Sequence, residues 1–287
     1  MVNQHLPVPP TRKELEAKIE ALPPLPSVAN ELLGAFNDDD ADIGVLSRRI
    51  AADQVLAART LRVANSAFYG LQGKINSIQE AIVVLGFRAV RSLVISAAAV
   101  CAMNALKSAN DFAPRRFWRH SIGTAVAARQ LAQMTGHNPD SAFAAGLLHD
   151  IGQLVLAVAL PKHYNAVIAW RERNGTLLTT AEQTVLNCTH TEAGQLLASR
   201  WKLPDIITES ITLHHRPEEA TADSLAGLVH VANALAHGLG LADDPDELVP
   251  PLSDLAWSRL NIAWDRLPGA MARIEGEFED TLNALTN

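Results

Sequence analysis

Six residues and one neighbour could do chemistry together. They are His120 in FWRHSIGTAVAARQLA, the adjacent His149 and Asp150 in GLLHDIGQ, His190 in CTHTEAGQLLASRW, and His214 with His215 in ITLHHRPEE, followed by Asn233 in VHVANALAH. Their spacing is too long for one local metal loop. Each falls in or at the end of a different expected helix, and a helix bundle makes metal sites by aiming side chains inward from facing helices. Asp150 can share its two oxygens between two cations while imidazoles complete the coordination. Such a nitrogen and oxygen donor set suits iron, manganese, zinc or nickel better than magnesium or calcium. Two such ions can activate a water and stabilise a phosphoryl oxygen during in-line displacement, which is phosphohydrolysis. Each histidine also has a plainer role. His214 and His215 stand where a helix-terminal imidazole satisfies the last carbonyls, His120 follows Arg119 on a face that can be half exposed, and His190 follows Thr189 in a first turn. The metal reading rests on the set, not on any one member.

Holding such a set requires a rigid helical frame, and the pattern supplies one. Apolar residues recur at three- and four-residue intervals and no run alternates with period two, so the chain is expected to be all-α. Ser77 with Glu80, Thr180 with Gln183, and Thr189 with Glu192 have capping-box spacing, and Asn138-Pro139 offers a cap followed by proline in the first turn. Stops are expected at Gly70, Gly73, Gly136, Gly175 and the proline pairs. In NSAFYG, Asn65 and Ser66 can bond backbone at a helix end, Phe68 and Tyr69 can bury area, and Gly70 can turn left-handed. Gly86 suits a helix break or a close crossing. Three segments follow: a helical subdomain over 11–108, punctuation in SANDFAP, a second helical subdomain over 114–240 holding most of the histidines, and an acidic amphipathic extension over 241–287 expected to fold back on the body.

Composition bounds the possibilities. With 287 residues, 48% hydrophobic and 19% charged, the chain has room for a large core and neither the polarity of disorder nor the continuous apolarity of a membrane protein. The N-terminus lacks the order of a secretory signal, and the stretch Leu93 to Leu106 is too short to span a bilayer, so no membrane association is expected. Cys101 and Cys188 form no framework and have no neighbouring His or Lys, as expected in a reducing cytoplasm. Net charge is −7, yet Ile43 to His120 holds eleven basic and three acidic residues. Arginines on the wet faces of helices account for this. Without aromatic and basic residues interleaved, nucleic acid is not the expected partner.

The order His, His-Asp, His, His-His resembles the HD superfamily of metal-dependent phosphohydrolases, including the HD-GYP branch that degrades cyclic dinucleotides. LPPLPSVANELL, IAADQVLAARTLRVANSAFYG and SIQEAIVVLGFRAVRSLVIS, continuing through FWRHSIGTAVAARQLA and AFAAGLLHDIGQLVL, are similar to the HDOD family, the HD-related output domain, over roughly residues 14–240. That resemblance implies two packed helical subdomains, the second an HD-like bundle, a bacterial source, and a role as a signal-transduction output module. It also implies departures. The last ligand of the active branch, an aspartate, is Asn233 here, which removes a negative charge from the site. The lysine that commonly follows HDIG is Gln153, and RPEEATADS follows His215 with no Gly-Tyr-Pro loop.

The resulting expectation is a non-catalytic signalling module with a degenerate metal site at His120, His149, Asp150, His190, His214 and His215, acting on a protein partner. It assigns no catalytic residue, and the cofactor would be one or two divalent ions of iron, manganese, zinc or nickel. The alternative is a metal-dependent phosphohydrolase of cyclic dinucleotides or nucleotides. A third reading is an anion or nucleotide receptor that uses the basic segment, with a nucleotide second messenger as ligand.

Overall fold

The computed structural model describes residues 6–34, 42–66, 69, 74–104, 114–245 and 247–286, and among them every regular element is helical. Phe68, Gly70, Gly73 and the SANDFA stretch lie outside the described residues. Helices α1 (Arg12–Glu20), α2 (Ser27–Gly34), α3 (Ile43–Ala52), α4 (Gln54–Ala64), α5 (Ile78–Leu85) and α6 (Phe87–Asn104) come first. Then follow α7 (Pro114–Thr135), α8 (Pro139–Leu148), α9 (Ile151–Ala159), α10 (Pro161–Asn174), α11 (Leu178–Leu186), α12 (His190–Trp201), α13 (Asp205–Leu213) and α14 (Ala226–Gly238). The chain ends with α15 (Asp254–Leu260) and α16 (Leu267–Thr286).

Local chemistry sets many of these ends. Asn138 caps α8 by accepting the Ser141 N–H, with Pro139 in the first turn. Thr189 and Glu192 form a reciprocal capping box on α12. Ser77 accepts the Glu80 N–H, while the Glu80 carboxylate takes the N–H of Asn76 rather than of Ser77. Gly86, with φ +87°, closes α5 and lets α6 begin directly after it. Thr180 does not start a helix: α11 begins at Leu178 with Leu177 as its N-cap. Leu178, the first residue of α11, packs against the hydrophobic core, ahead of the cap that Thr180 offers. At the end of α4, the Asn65 amide both donates to and accepts from the Ile75 backbone, and Ser66 Oγ donates to the Val63 carbonyl.

Helix α7 is the axis of the molecule. From His120 to Ala132 it is buried on every side, as expected of a helix surrounded by others. It packs on α8, α14 and α16, while α6 joins the first group of helices to α8. Tyr69 fastens the same junction, donating to Asp140 Oδ1 at 3.1 Å with the Arg129 guanidinium 4.2 Å over its ring. Among the described residues the long apolar stretch is Pro139–Ala159, and 89% of an 18-residue window within it is buried in the protein. It passes a length and composition test for a membrane span but is packed as a core element, broken at His149-Asp150.

The extension 241–286 lies back on the body through α16, which packs along α7 and α4. Arg119 donates to Glu279 at 2.8 Å and lies 4.9 Å over the Phe278 ring, and Arg59 donates to the Leu285 carbonyl at 2.8 Å. Arginines of the basic segment are thus answered in part by the acidic C-terminal stretch. Arg49 is likewise paired with Glu31.

Candidate metal centre

The His149-Asp150 pair sits at the break between α8 and α9, where three other helices bring ligands to it. His120 comes from α7, His190 from the first turn of α12, and His214 and His215 from the end of α13. One contact makes this convergence possible. A Cβ on Gly152 would lie 1.8 Å from the His190 carbonyl oxygen, so only glycine lets α9 approach α12 this closely. Gly194 faces it from α12, and a Cβ there would meet Ile211 at 2.6 Å.

Asp150 is the hub. Its Oδ1 lies 3.1 Å from His190 Nε2 and 3.3 Å from His214 Nε2. Its Oδ2 lies 3.3 Å from His149 Nε2 and 3.6 Å from His120 Nε2, and accepts from Gln153 Nε2 at 2.6 Å. His215 Nε2 is 3.2 Å from His190 Nε2. All six residues named from the sequence are therefore brought together. His120, 7% exposed, is buried and not on a half-exposed face.

The far nitrogen of each ring decides what the near one can do. His149 Nδ1 faces the Gly146 carbonyl at 2.7 Å, and His214 Nδ1 faces the Ser210 and Ile211 carbonyls at 3.1 Å. A carbonyl only accepts, so both Nδ1 atoms carry a proton, and in the neutral ring each Nε2 is a lone pair aimed at a carboxylate. Neither Nε2 nor Asp150 Oδ1 has a hydrogen bond of normal geometry, although all are buried. Lone pairs converging on lone pairs in a buried space repel unless a cation lies between them. His214 thus does both things expected of it, satisfying carbonyls with one nitrogen and facing Asp150 with the other.

Electrostatics agrees. Burial pushes the His149 imidazole down to about 4, and burial with neighbouring imidazoles holds His120 and His215 well below the ordinary histidine range. These rings stay neutral, as metal ligands must. Burial opposes charge on Asp150 too, but His149 and His190 hold it well below the usual carboxylate range. His190 differs: burial lowers it, yet Glu182 and Asp150 override burial and hold it up at about 10. Glu182 is fully buried and accepts both the backbone N–H and Nδ1–H of His190, at 2.9 and 2.7 Å. A carboxylate behind a ligating imidazole fixes its tautomer and raises its basicity.

Several residues of the site escaped the sequence reading. Glu182 carries no local signal, since it meets His190 only through the α11 to α12 turn. His237 stands one helical turn beyond Asn233 and was discoverable from that spacing. Glu247, in ADDPDELVPP, reads in sequence as a segment boundary. His230 is structural: Nδ1–H donates to the His214 carbonyl at 2.7 Å, and Nε2 accepts the Ser253 N–H at 2.9 Å. Cys101 and Cys188 are free, and burial pushes the thiols up, Cys188 to about 12, so neither is an activated nucleophile.

A cavity of about 340 Å³ opens beside Asp150, with Gln153, His190, Asn233 and Tyr164 in its lining. Arg116 and Arg171 stand in its wall, and both face Asp244, at 3.4 and 3.6 Å. The segment after α14 crosses the mouth, contributing Glu247, Leu248, Pro250 and Pro251. The donor set, the orphaned buried lone pairs and the adjoining space fit a divalent transition metal with room for a further ligand.

Comparison with known proteins gives the same frame. A solved HDOD domain protein of unknown function from Geobacter sulfurreducens is 25% identical with a TM-score of 0.77, covering 96% of this chain and 97% of that one. A solved candidate phosphohydrolase from Shewanella amazonensis SB2B is 29% identical with a TM-score of 0.75, covering 95% and 98%. An uncharacterised protein of Treponema pallidum (strain Nichols) is 28% identical over 208 residues, which are 70% of this chain and 40% of that protein. The chain thus spans less than half the length of that curated relative. Residues 22–217 match the HDOD domain, two-thirds of the whole length, and the chain belongs to the HDOD family.

Proposed function

We propose that this chain is a regulatory HDOD module that holds one or two divalent transition-metal ions around Asp150, does not hydrolyse phosphate esters, and acts in signal transduction by presenting its helical surface to a protein partner. His120, His149, Asp150, His190, His214 and His215 would hold the metal. A bound metal supplies Lewis acidity and charge to that pocket. The observation that carries the reading is Gln153. Where active relatives of the HD type commonly have lysine, an amide donates to Asp150 Oδ2 at 2.6 Å and adds no charge to neutralise a phosphate. Asn233 is a neutral amide in place of a carboxylate, and the cavity arginines Arg116 and Arg171 face Asp244. The two free cysteines agree with a reducing cytoplasm.

A second reading, a phosphohydrolase of cyclic dinucleotides or nucleotides, is favoured by the cavity beside Asp150 and by the likeness to the Shewanella protein. The two separate cleanly. Purified chain supplied with manganese or iron is expected to leave cyclic dinucleotides, linear dinucleotides and nucleoside phosphates intact. Metal-dependent turnover that disappears in Asp150→Ala would establish the second reading and overturn the first.

A further inference from the structure

A second group of ligating atoms lies on the far side of His120, and the Asp150 set does not account for it. His237 Nδ1 is 2.7 Å from Glu247 Oε1, and His120 Nδ1 is 4.0 Å from the same oxygen. The two imidazole centroids are 4.3 Å apart, and one ligating atom from each of the three residues lies within 4.8 Å of the others. The Glu247 side chain is 9% exposed and that of His237 is 23% exposed, which places the group at the cavity mouth. An ordinary ion pair would align an N–H on the carboxylate. Here His237 Nδ1 has no hydrogen bond of normal geometry despite its short separation, and neither does either nitrogen of His120. The buried Asn233 Oδ1 is a further acceptor without such a bond. A buried carboxylate and imidazole that meet without a hydrogen bond leave lone pairs that a cation between them would satisfy.

We propose that His120, His237 and Glu247 form a separate site for a divalent ion of zinc's class, and that the ion clasps the 247–253 segment over the cavity. Two imidazoles and one carboxylate are a three-ligand zinc set with an open position. His237 and Glu247 both lie beyond residues 22–217, which match the family. A neutral imidazole has one lone pair, so His120 serves one set at a time. Through Nδ1 it ligates here while Nε2–H faces Asp150 Oδ2; through Nε2 it serves Asp150 while Nδ1–H faces Glu247. Glu247 also brings back a negative charge that Asn233 does not supply. The site shares His120 with the Asp150 set but stands without it, because His237 and Glu247 make no part of that set.

The test is zinc titration of the chelator-stripped full chain by calorimetry, with elemental analysis, alongside Glu247→Gln, His237→Ala and Asp150→Asn, each checked for native helicity. Chymotryptic cleavage at Leu248 or Leu252 reads the clasp independently. Glu247→Gln and His237→Ala are expected to lose one equivalent of zinc, or to bind it at least about tenfold more weakly, while Asp150→Asn retains it. Zinc is expected to slow the cleavage in the unaltered chain and in Asp150→Asn, but not in Glu247→Gln. Unchanged zinc stoichiometry, affinity and protection in Glu247→Gln and His237→Ala would overturn the proposal. Loss of all zinc uptake in Asp150→Asn would overturn it as well while leaving the Asp150-centred reading intact.

Discussion

At the scale of single residues, the site is governed by which nitrogen of each ring is already engaged. Gly146, Ser210, Ile211 and Glu182 take the Nδ1 protons, and the Nε2 atoms are left facing Asp150. Replacing Asn233 by Asp adds a carboxylate beside this set and is expected to raise its affinity for manganese or iron about tenfold. Titration of Asn233→Asp against the unaltered chain measures this, and an equal affinity would count against the amide as the weakening feature. His230 gives a different expectation because its role is structural. Burial pushes it below the ordinary histidine range, so the unfolded chain takes up a proton on this residue before the folded one does. The sign follows: His230 destabilises the fold as pH falls below the usual imidazole range, and the loss stops once the folded residue also protonates. His230→Phe is expected to reduce that pH dependence in urea melts, and to cost about 2–4 kcal/mol at neutral pH because the His214 carbonyl and Ser253 N–H lose their partners. A variant with unaltered stability and pH profile would contradict this role. The six named residues were legible in the sequence only as a set, from the order His, His-Asp, His, His-His along successive helices. Glu182 and Glu247 were not, since acidic residues are common and only tertiary structure shows which of them is buried against an imidazole.

At the scale of elements, the crossing of α9 and α12 positions the centre. The backbone of one helix runs against the backbone of the other at Gly152, and His190 is delivered to Asp150 from that contact. Gly152→Ala is expected to force the helices apart, costing about 3 kcal/mol and lowering metal uptake together with stability. Denaturant midpoints and metal content check it; a variant matching the original in both would show that the crossing does not set the site. Element type was readable from the three- and four-residue period, and the caps at Asn138 and Thr189 from side-chain chemistry. The start of α11 was not, because the helix begins at Leu178, which packs against the core, and not at the cap offered by Thr180. A local signal is reliable where solvent is the competitor and fails where packing is.

At the scale of the whole molecule, α16 joins what the sequence divides. Phe278 is buried, Arg119 and Arg59 reach this helix from different parts of the basic segment, and α7 lies beneath it. Phe278→Ala is expected to cost about 3–5 kcal/mol and to lower a single unfolding transition; a split into two transitions, with one unchanged, would show independent units instead. The uneven charge along the chain is partly an internal matter, because basic and acidic stretches meet in the fold. That meeting was invisible in sequence, where net charge says nothing about which faces carry it. The central claim is that the buried Asp150 cluster is a metal centre. Its most direct test is elemental analysis of the chain purified without chelator or tag nickel, beside Asp150→Ala. At least one iron, manganese, zinc or nickel ion per chain, lost in the variant, is the predicted result, whereas a metal-free chain of full stability that takes up none of these ions when supplied would contradict it.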